Sequence, residues 1–250
     1  MNVERMEKIL NRTDADALLL CDPAAISYLI GRKIFPGERF LGLLLSKTEE
    51  PKLFLNALFP FEATEGLSVI VYSDTDDYVE LLRPHLHPEW ILGVAKNLPA
   101  RFLLPILKNS LVKDCINGSP AGDRTRAVKE KEELELLRRS SQINDEAMAI
   151  FKTLVKDGIS EKQIADQMLE IYRNLGAEGF SFEPIVAFGK NAADPHHMPD
   201  DTILKEGDAV LFDVGCVYRN YCSDMTRTFF YRKAPSEIQK TVYKLVQKAN

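Results

Sequence analysis

Short apolar runs alternate with amphipathic stretches over the first 115 residues, and this alternation limits the possible folds more than any other feature. The apolar runs are bounded by turn or charged residues and occupy six positions: 17–20, 41–46, 52–56, 68–73, 91–96 and 111–115. Helical periodicity lies between several of them, and strands that alternate with helices indicate α/β layers. A short turn joins the second run to the third, which predicts an antiparallel hairpin and therefore a mixed sheet.

A cluster of structure-breaking residues at 116–122 separates this half from a second half with a different pattern of apolar residues. One long amphipathic helix is predicted from residue 126 to about residue 157. A second helix begins at the capping box of Ser160 and Gln163, and strand-like runs follow before a last helix. The sequence therefore predicts two domains, residues 1–120 and residues 121–250.

The charge of the chain argues against some classes of binding partner, and its cysteine content indicates a cellular compartment. The chain carries 32 Lys and Arg against 37 Asp and Glu, a net charge of -5, which argues against nucleic acid and anionic membranes as partners. No run approaches the ~20 apolar residues of a membrane span, and the charged start lacks the apolar core of a signal peptide. Four scattered cysteines predict reduced thiols and a cytoplasmic protein.

Two aspartates in one predicted hairpin give the main chemical signal. Strand-like runs flank a polar tip at 218–220, and a turn centred between residues 218 and 219 would place Asp213 directly opposite Asp224. Like charges at that position destabilise a sheet, so a bound divalent cation is the simplest compensation. In the alternative, both carboxylates face solvent without metal, and Asp224 forms an Asx turn with Thr226.

Two of the four histidines, His196 and His197, lie in a proline-bracketed loop after a predicted strand. A loop histidine can act as an acid, a base, a ligand or a hydrogen-bond donor, although a surface loop without function is the simpler interpretation of an isolated pair. Cys216 and Cys222 flank the hairpin tip. We expect both to be small buried hydrophobic residues, with a thiolate ligand or a disulfide as the alternative.

Together these residues resemble the proline-peptidase branch of the pita-bread metallopeptidases, which includes Xaa-Pro dipeptidase (prolidase) and aminopeptidase P. The resemblance rests on Pro195-His196-His197-x-Pro199, Asp213-x-Gly215 and the most specific element, Tyr221-x-Ser223-Asp224-x-Thr226-Arg227-Thr228. Residues 27–31 resemble the start of the family's creatinase-like domain. The implied fold is a creatinase-like α/β N-terminal domain with a mixed sheet, followed by the first half of an α+β pita-bread catalytic domain.

The resemblance also implies a role for each site residue. Asp213 and Asp224 match the first two ligands of a two-metal centre, with Asp224 bridging the metals. His196 matches the catalytic histidine that holds substrate and the tetrahedral intermediate, and His197 is the alternative. The implied function is a metal-dependent exopeptidase, with manganese, cobalt or zinc, that hydrolyses the bond before proline in peptides. A homodimer is the assembly to test.

The family's remaining ligands, one histidine and two glutamates, have no match, since no histidine follows His197. We therefore expect a truncated member with an incomplete site, no activity as a 250-residue chain, and an exposed apolar surface in the second half. The alternative function is a non-catalytic creatinase-like module that binds peptides or a protein partner, and metal-free creatine-type hydrolysis is a third. The sequence does not distinguish a dipeptidase from an aminopeptidase.

Overall fold

The computed structural model describes residues 1–62 and 65–249, and the chain divides into two compact units, Met1–Val128 and Lys129–Asn250. Among the described residues, two hydrophobic cores lie in the first unit and one lies in the second. The breaker residues predict a linker at 116–122 and a domain boundary at residue 120. The structure instead forms the end of a strand and a regular helix there, and that helix belongs to the first unit.

The first unit is a six-stranded mixed sheet covered by helices. Its strands are β1 (Ala17–Leu20), β2 (Gly42–Ser46), β3 (Lys52–Asn56), β4 (Ser68–Tyr72), β5 (Ile91–Val94) and β6 (Asp114–Asn117). Its helices are α1 (Val3–Leu10), α2 (Pro23–Ile30), α3 (Tyr78–Leu82), α4 (Ala100–Lys108) and α5 (Ser119–Ala127). The strand order is β4-β3-β2-β1-β5-β6; β2 is antiparallel to β1 and β3, whereas β5 is parallel to β1. The predicted hairpin and mixed sheet are confirmed.

Successive residues of the central strands enter two different cores. Leu18 packs with Ile26 of α2 in one core, whereas Leu19 packs with Ile106 of α4 in the other. All four residues of β1 are buried. A strand that is buried on both faces is a continuous apolar run rather than an alternating one, which explains the sequence of β1.

The second unit contains two long helices, two three-stranded sheets and a terminal helix. Its elements are α6 (Lys131–Leu154), α7 (Glu161–Asn174), β7 (Gly179–Phe180), β8 (Ile185–Phe188), β9 (Ala209–Val214), β10 (Cys216–Tyr218), β11 (Tyr221–Cys222), β12 (Met225–Phe230) and α8 (Glu237–Ala249). The sheet orders are β11-β10-β7 and β12-β9-β8. Phe151 of α6 contacts the rings of both Tyr172 and Phe212, so the two helices and the second sheet share one core.

Local capping explains where the helices of this unit begin. The single helix predicted over 126–157 is interrupted at 128–130, where the backbone N–H of Glu130 donates to Glu133 and starts α6. The capping box of Ser160 and Gln163 opens α7 as predicted, with both reciprocal hydrogen bonds formed. A Glu-x-x-Glu pattern is the weaker form of this signal, which is why the interruption was missed.

Helix α8 presents an apolar face to solvent. Its exposed apolar side chains are Ile238, Val242, Tyr243, Leu245 and Val246, with relative exposures from 45% to 78%. This is the exposed apolar surface that the sequence analysis expects in the second half. Among the described residues, no helix combines the length and the hydropathy that a membrane span requires.

Candidate active site

The acidic hairpin consists of β9 and β10 on one arm and β11 and β12 on the other. A two-residue turn closes it, formed by Arg219 with φ 48° and Asn220 with φ 69°, and Tyr218 pairs with Tyr221 across it. Left-handed backbone at both central residues defines a type I′ turn, whose twist matches that of a β-hairpin. The turn is therefore centred between residues 219 and 220, one position later than predicted.

The predicted pairing of the aspartates is wrong as a consequence. Asp213 pairs with Thr226, and the same register continues towards the tip, where Cys216 bonds Ser223. This register places Asp224 opposite Gly215. The partner of Asp213 changes by two residues, and an even shift keeps each side chain on the same face of a sheet. The two aspartates are therefore diagonal neighbours rather than direct cross-strand partners.

The two carboxylates differ in their surroundings. Asp213 is half-buried, and its Oδ1 accepts a hydrogen bond of 2.8 Å from the Thr226 hydroxyl. Asp224 is exposed, and its carboxylate makes no hydrogen bond within the described part of the chain, so the alternative Asx turn with Thr226 does not form. Carboxylate oxygens are the donors that hard divalent cations prefer, and here they remain accessible. The donor chemistry fits a divalent metal.

Gly215 lies between the two arms where no side chain fits. A Cβ atom at this position would lie 2.1 Å from the Ser223 carbonyl oxygen and 2.2 Å from Ser181 Oγ. Ser181 uses this close approach: its N–H donates to the Gly215 carbonyl, and its hydroxyl donates to the Ser223 carbonyl at 2.8 Å. Ser181 therefore joins the two arms of the hairpin, because it bonds Gly215 on one arm and Ser223, the neighbour of Asp224, on the other.

Helix α6 holds the hairpin backbone from the buried side. Asn144 Nδ2 donates to the Val214 carbonyl at 3.1 Å, and Ser140 Oγ donates to the Cys216 carbonyl at 3.2 Å. The Tyr172 hydroxyl donates to Asn144 Oδ1 at 2.6 Å. Burial raises the pKa of Tyr172, so its hydroxyl stays protonated and keeps this donor role. The strand that carries Asp213 is thus fixed by fully buried neutral hydrogen bonds.

The two cysteines of the hairpin lie in different environments. Cys216 is buried, whereas Cys222 is exposed, and both are free thiols. The expectation of a buried pair is therefore wrong for Cys222. The register explains the difference. Cys222 pairs with Val217, and the side chain of Cys216, the residue before Val217, points to the opposite face of the sheet, towards the core.

The histidine loop leaves β8 through a short 3₁₀ turn, Gly189–Ala193. His196 is exposed, and over residues 1–62 and 65–249 its imidazole makes no hydrogen bond; its backbone N–H donates to Asp194 Oδ1 at 2.9 Å. The side chain of His197 is only 12% exposed, and its Nε2 lies 2.6 Å from Glu161 Oε2. The adjacent histidines therefore differ: one imidazole is open to a ligand, and the other is already bound.

Glu161, the first residue of α7, is a candidate that the sequence analysis missed. Its carboxylate is fully buried and is contacted by four groups of the following segment: Phe188 N, Asn191 Nδ2, His197 Nε2 and Asp200 N. An acidic residue in the first turn of a helix is common, because it complements the helix dipole. No local signal therefore distinguishes Glu161, whose partners lie 27 to 39 residues away.

One group of three adjacent ligand atoms occurs in the described part of the chain. It consists of Glu161, His197 and Asp200, with ligand atoms within 4.8 Å of one another. Neither hairpin aspartate belongs to it, and His196 does not. The structure therefore brings the two aspartates to one hairpin, but it does not join them with His196 in a single cluster of this kind.

Comparisons with known proteins agree with the motifs and the fold. Residues 2–128 match the creatinase/prolidase N-terminal domain, and residues 135–250 match metallopeptidase family M24. An uncharacterized peptidase from Staphylococcus saprophyticus is 30% identical over 258 residues, which cover 100% of this chain and 71% of the relative.

Two solved prolidase structures have the same fold. A prolidase from Thermococcus sibiricus is 27% identical with a TM-score of 0.87, covering 100% of this chain and 70% of that one. The prolidase from Pyrococcus horikoshii OT3 is 25% identical with a TM-score of 0.84, covering 98% and 70%. The family inferred from the hairpin and loop motifs is confirmed. The chain belongs to metallopeptidase family M24 and carries a creatinase/prolidase N-terminal domain before its peptidase domain.

Proposed function

We propose that this chain carries the N-terminal domain and the first two metal ligands of an exopeptidase that hydrolyses the bond before proline. The observation that supports the proposal is the acidic hairpin, whose register makes Asp213 and Asp224 diagonal neighbours and in which neither carboxylate is buried. Membership of family M24 and the likeness to solved prolidases supply the reaction class.

Asp213 and Asp224 would both hold divalent metal, for which manganese, cobalt and zinc are the candidates. When bound, divalent cations supply an activated water nucleophile and polarise the substrate carbonyl. The protein contributes a fixed position for the Asp213 carboxylate, since the Thr226 hydroxyl donates to its Oδ1 at 2.8 Å. Asn144 bonds the Val214 carbonyl next to Asp213, and Ser181 bonds the Ser223 carbonyl next to Asp224.

His196 would bind the substrate carbonyl oxygen and stabilise the charge that develops on it. Its imidazole is exposed and uncommitted among the described residues, so it can donate to a ligand. The substrate is a proline-containing peptide. The nitrogen of the bond before proline has no hydrogen, so recognition must use the carbonyl oxygen and the pyrrolidine ring.

The number of ligands bears on activity. The family pattern uses five metal ligands, and these 250 residues offer two of them, Asp213 and Asp224. A catalytic metal normally has about three protein ligands and a water. We therefore infer weak metal binding and no turnover for the 250 residues by themselves.

The compartment and the assembly are part of the proposal. All four cysteines are free, which supports a reducing compartment such as the cytoplasm. A homodimer is the assembly to test. Sedimentation of the purified chain measures this directly.

Calorimetric titration with Mn²⁺ tests the metal site. We expect weak binding that is lost in Asp213→Asn and in Asp224→Asn, whereas Asp166→Asn on the exposed face of α7 leaves it unchanged. Binding that survives both hairpin substitutions would refute the assigned ligands. Hydrolysis of Ala-Pro, measured with added Mn²⁺, should be absent. Turnover that disappears in Asp224→Asn would show that the chain completes its site and would overturn the inferred inactivity.

A further inference from the structure

We propose that Glu161 and His197 form a clamp that positions His196, so that the two histidines of the loop have separate tasks. Both clamp residues are positioning residues, since neither is assigned a contact with substrate or metal. The inference rests on the proposed role of His196. It concerns the loop of residues 189–200 and the start of α7, which no motif of the sequence connects.

The clamp holds the loop on both sides of His196. Before it, Glu161 Oε1 accepts hydrogen bonds from Phe188 N at 2.7 Å and from Asn191 Nδ2 at 3.0 Å. After it, Glu161 Oε2 lies 2.6 Å from His197 Nε2 and accepts from Asp200 N at 3.2 Å. One buried carboxylate therefore closes the loop around the residue that it leaves exposed.

The base of the clamp is a helix end rather than another loop. Ser160 and Gln163 cap α7, and Glu161 follows as its first residue, where a negative charge is favourable. The N–H of Glu161 donates to the Thr202 carbonyl, and the N–H of Lys162 donates to the Asp200 carbonyl. The start of the helix and the end of the loop are thus joined by the backbone as well as by the carboxylate.

Hydrogen bonding explains this cluster better than a metal does. Four donors surround the Glu161 carboxylate, and Asp200 Oδ1 accepts the N–H of Thr202 at 2.7 Å. The bonds from Thr202 lower the pKa of Asp200, so that side chain is a committed acceptor. A cation would have to replace these donors.

The clamp acts on His196 through the backbone. His197 is the next residue and is fixed by its ring, while Pro195 on the other side has a restricted φ. The Asp194 side chain also accepts the N–H of His196 at 2.9 Å. The main chain of His196 is therefore fixed while its imidazole stays open, which lowers the entropic cost of binding a substrate.

Three variants and one control test the clamp in the 250-residue chain. Glu161→Gln and His197→Ala remove one partner each, and His197→Gln keeps an N–H that can reach Glu161. Glu170→Gln is the control, because Glu170 is exposed on the same helix. The measurements are amide hydrogen exchange over residues 189–200 and ¹³C relaxation of the His196 imidazole.

We expect exchange in the loop to accelerate at least about tenfold in Glu161→Gln and His197→Ala, with increased motion of the His196 ring. His197→Gln should restore both values close to those of the unmodified chain, which a general packing role of the imidazole would not predict. Unchanged exchange in Glu161→Gln, or no rescue by His197→Gln, would overturn the proposal. If Glu161→Gln does not fold, the two His197 variants still decide, because that side chain lies at the edge of the core.

Metal titration separates this inference from the proposed function. Mn²⁺ affinity should be the same in the clamp variants and in the unmodified chain, because within the described residues neither hairpin aspartate shares a hydrogen bond or ion pair with Glu161 or His197. Loss of the proposed metal site would leave the exchange result intact. Zn²⁺ binding that persists in the Asp213→Asn/Asp224→Asn double variant and disappears in Glu161→Gln would assign a metal to the cluster and overturn the clamp.

Discussion

The acidic hairpin and the histidine loop both present exposed polar side chains, but they are supported in different ways. The hairpin is held by neutral hydrogen bonds spread over several buried side chains, among them Ser140, Asn144 and Tyr172. The loop has backbone hydrogen bonds to the start of α7, but its buried side-chain support is concentrated in one carboxylate, Glu161, which bonds groups before and after His196. Each substitution among the residues that hold the hairpin should therefore lower stability by a small amount. Substitution of Glu161 alone should destabilise the loop strongly.

The largest effect is expected from Glu161→Ala. It removes the acceptor of one buried donor, Phe188 N, and of three partly buried donors, of which Asn191 Nδ2 alone keeps another acceptor, Thr202 Oγ1. We expect it to lower the free energy of unfolding of the second unit by about 3–5 kcal/mol. Urea unfolding followed by circular dichroism measures this loss, and fluorescence of Trp90, which lies in the first unit, identifies the transition of that unit. Glu170→Ala is the matched control and should change stability by less than about 0.5 kcal/mol. A loss below about 1 kcal/mol would contradict concentrated support.

A smaller effect is expected from Asn144→Ala in the hairpin network. It removes the donor to the Val214 carbonyl and the acceptor of the Tyr172 hydroxyl, and should cost about 2 kcal/mol in the same assay. Tyr172→Phe removes one bond of the same chain and should cost about 1 kcal/mol. If Asn144→Ala costs as much as Glu161→Ala, the two regions do not differ in how their support is distributed.

The smallest effect is expected at the tip of the hairpin. Asn220 has φ 69° in a type I′ turn, a position that glycine adopts without a steric penalty. Asn220→Gly should therefore stabilise the second unit by about 0.5 kcal/mol, and Asn220→Ala should destabilise it by about 1 kcal/mol. The sign of the glycine variant is the informative result, since a loss of stability would argue against a left-handed residue at the tip.

Features with a local cause were predicted from the sequence. The apolar runs of the first unit correspond to its mixed sheet because β1 and its neighbours are buried on both faces. The start of α7 is also predicted correctly, because the hydrogen bonds of the capping box at Ser160 join residues only three positions apart.

Features that depend on backbone conformation or on distant partners were not predicted. The register of the hairpin depends on left-handed backbone at Arg219 and Asn220, and Arg219 gives no signal of it. The burial of Glu161 depends on a loop far along the chain, and at the level of sequence it is an ordinary first-turn acid. The break at 128–130 rests on a Glu-x-x-Glu cap that resembles the charged face of a continuing helix.

The exposed thiol of Cys222 allows a label to be attached beside the proposed metal site. Burial raises the pKa of Cys21 to about 12 and also raises that of Cys115, and Cys216 lies in the core, so these three thiols react slowly. Cys222 is exposed two residues before Asp224. A nitroxide attached there would lie beside the proposed ligands, and its spectrum would broaden when paramagnetic Mn²⁺ binds, without any engineered cysteine.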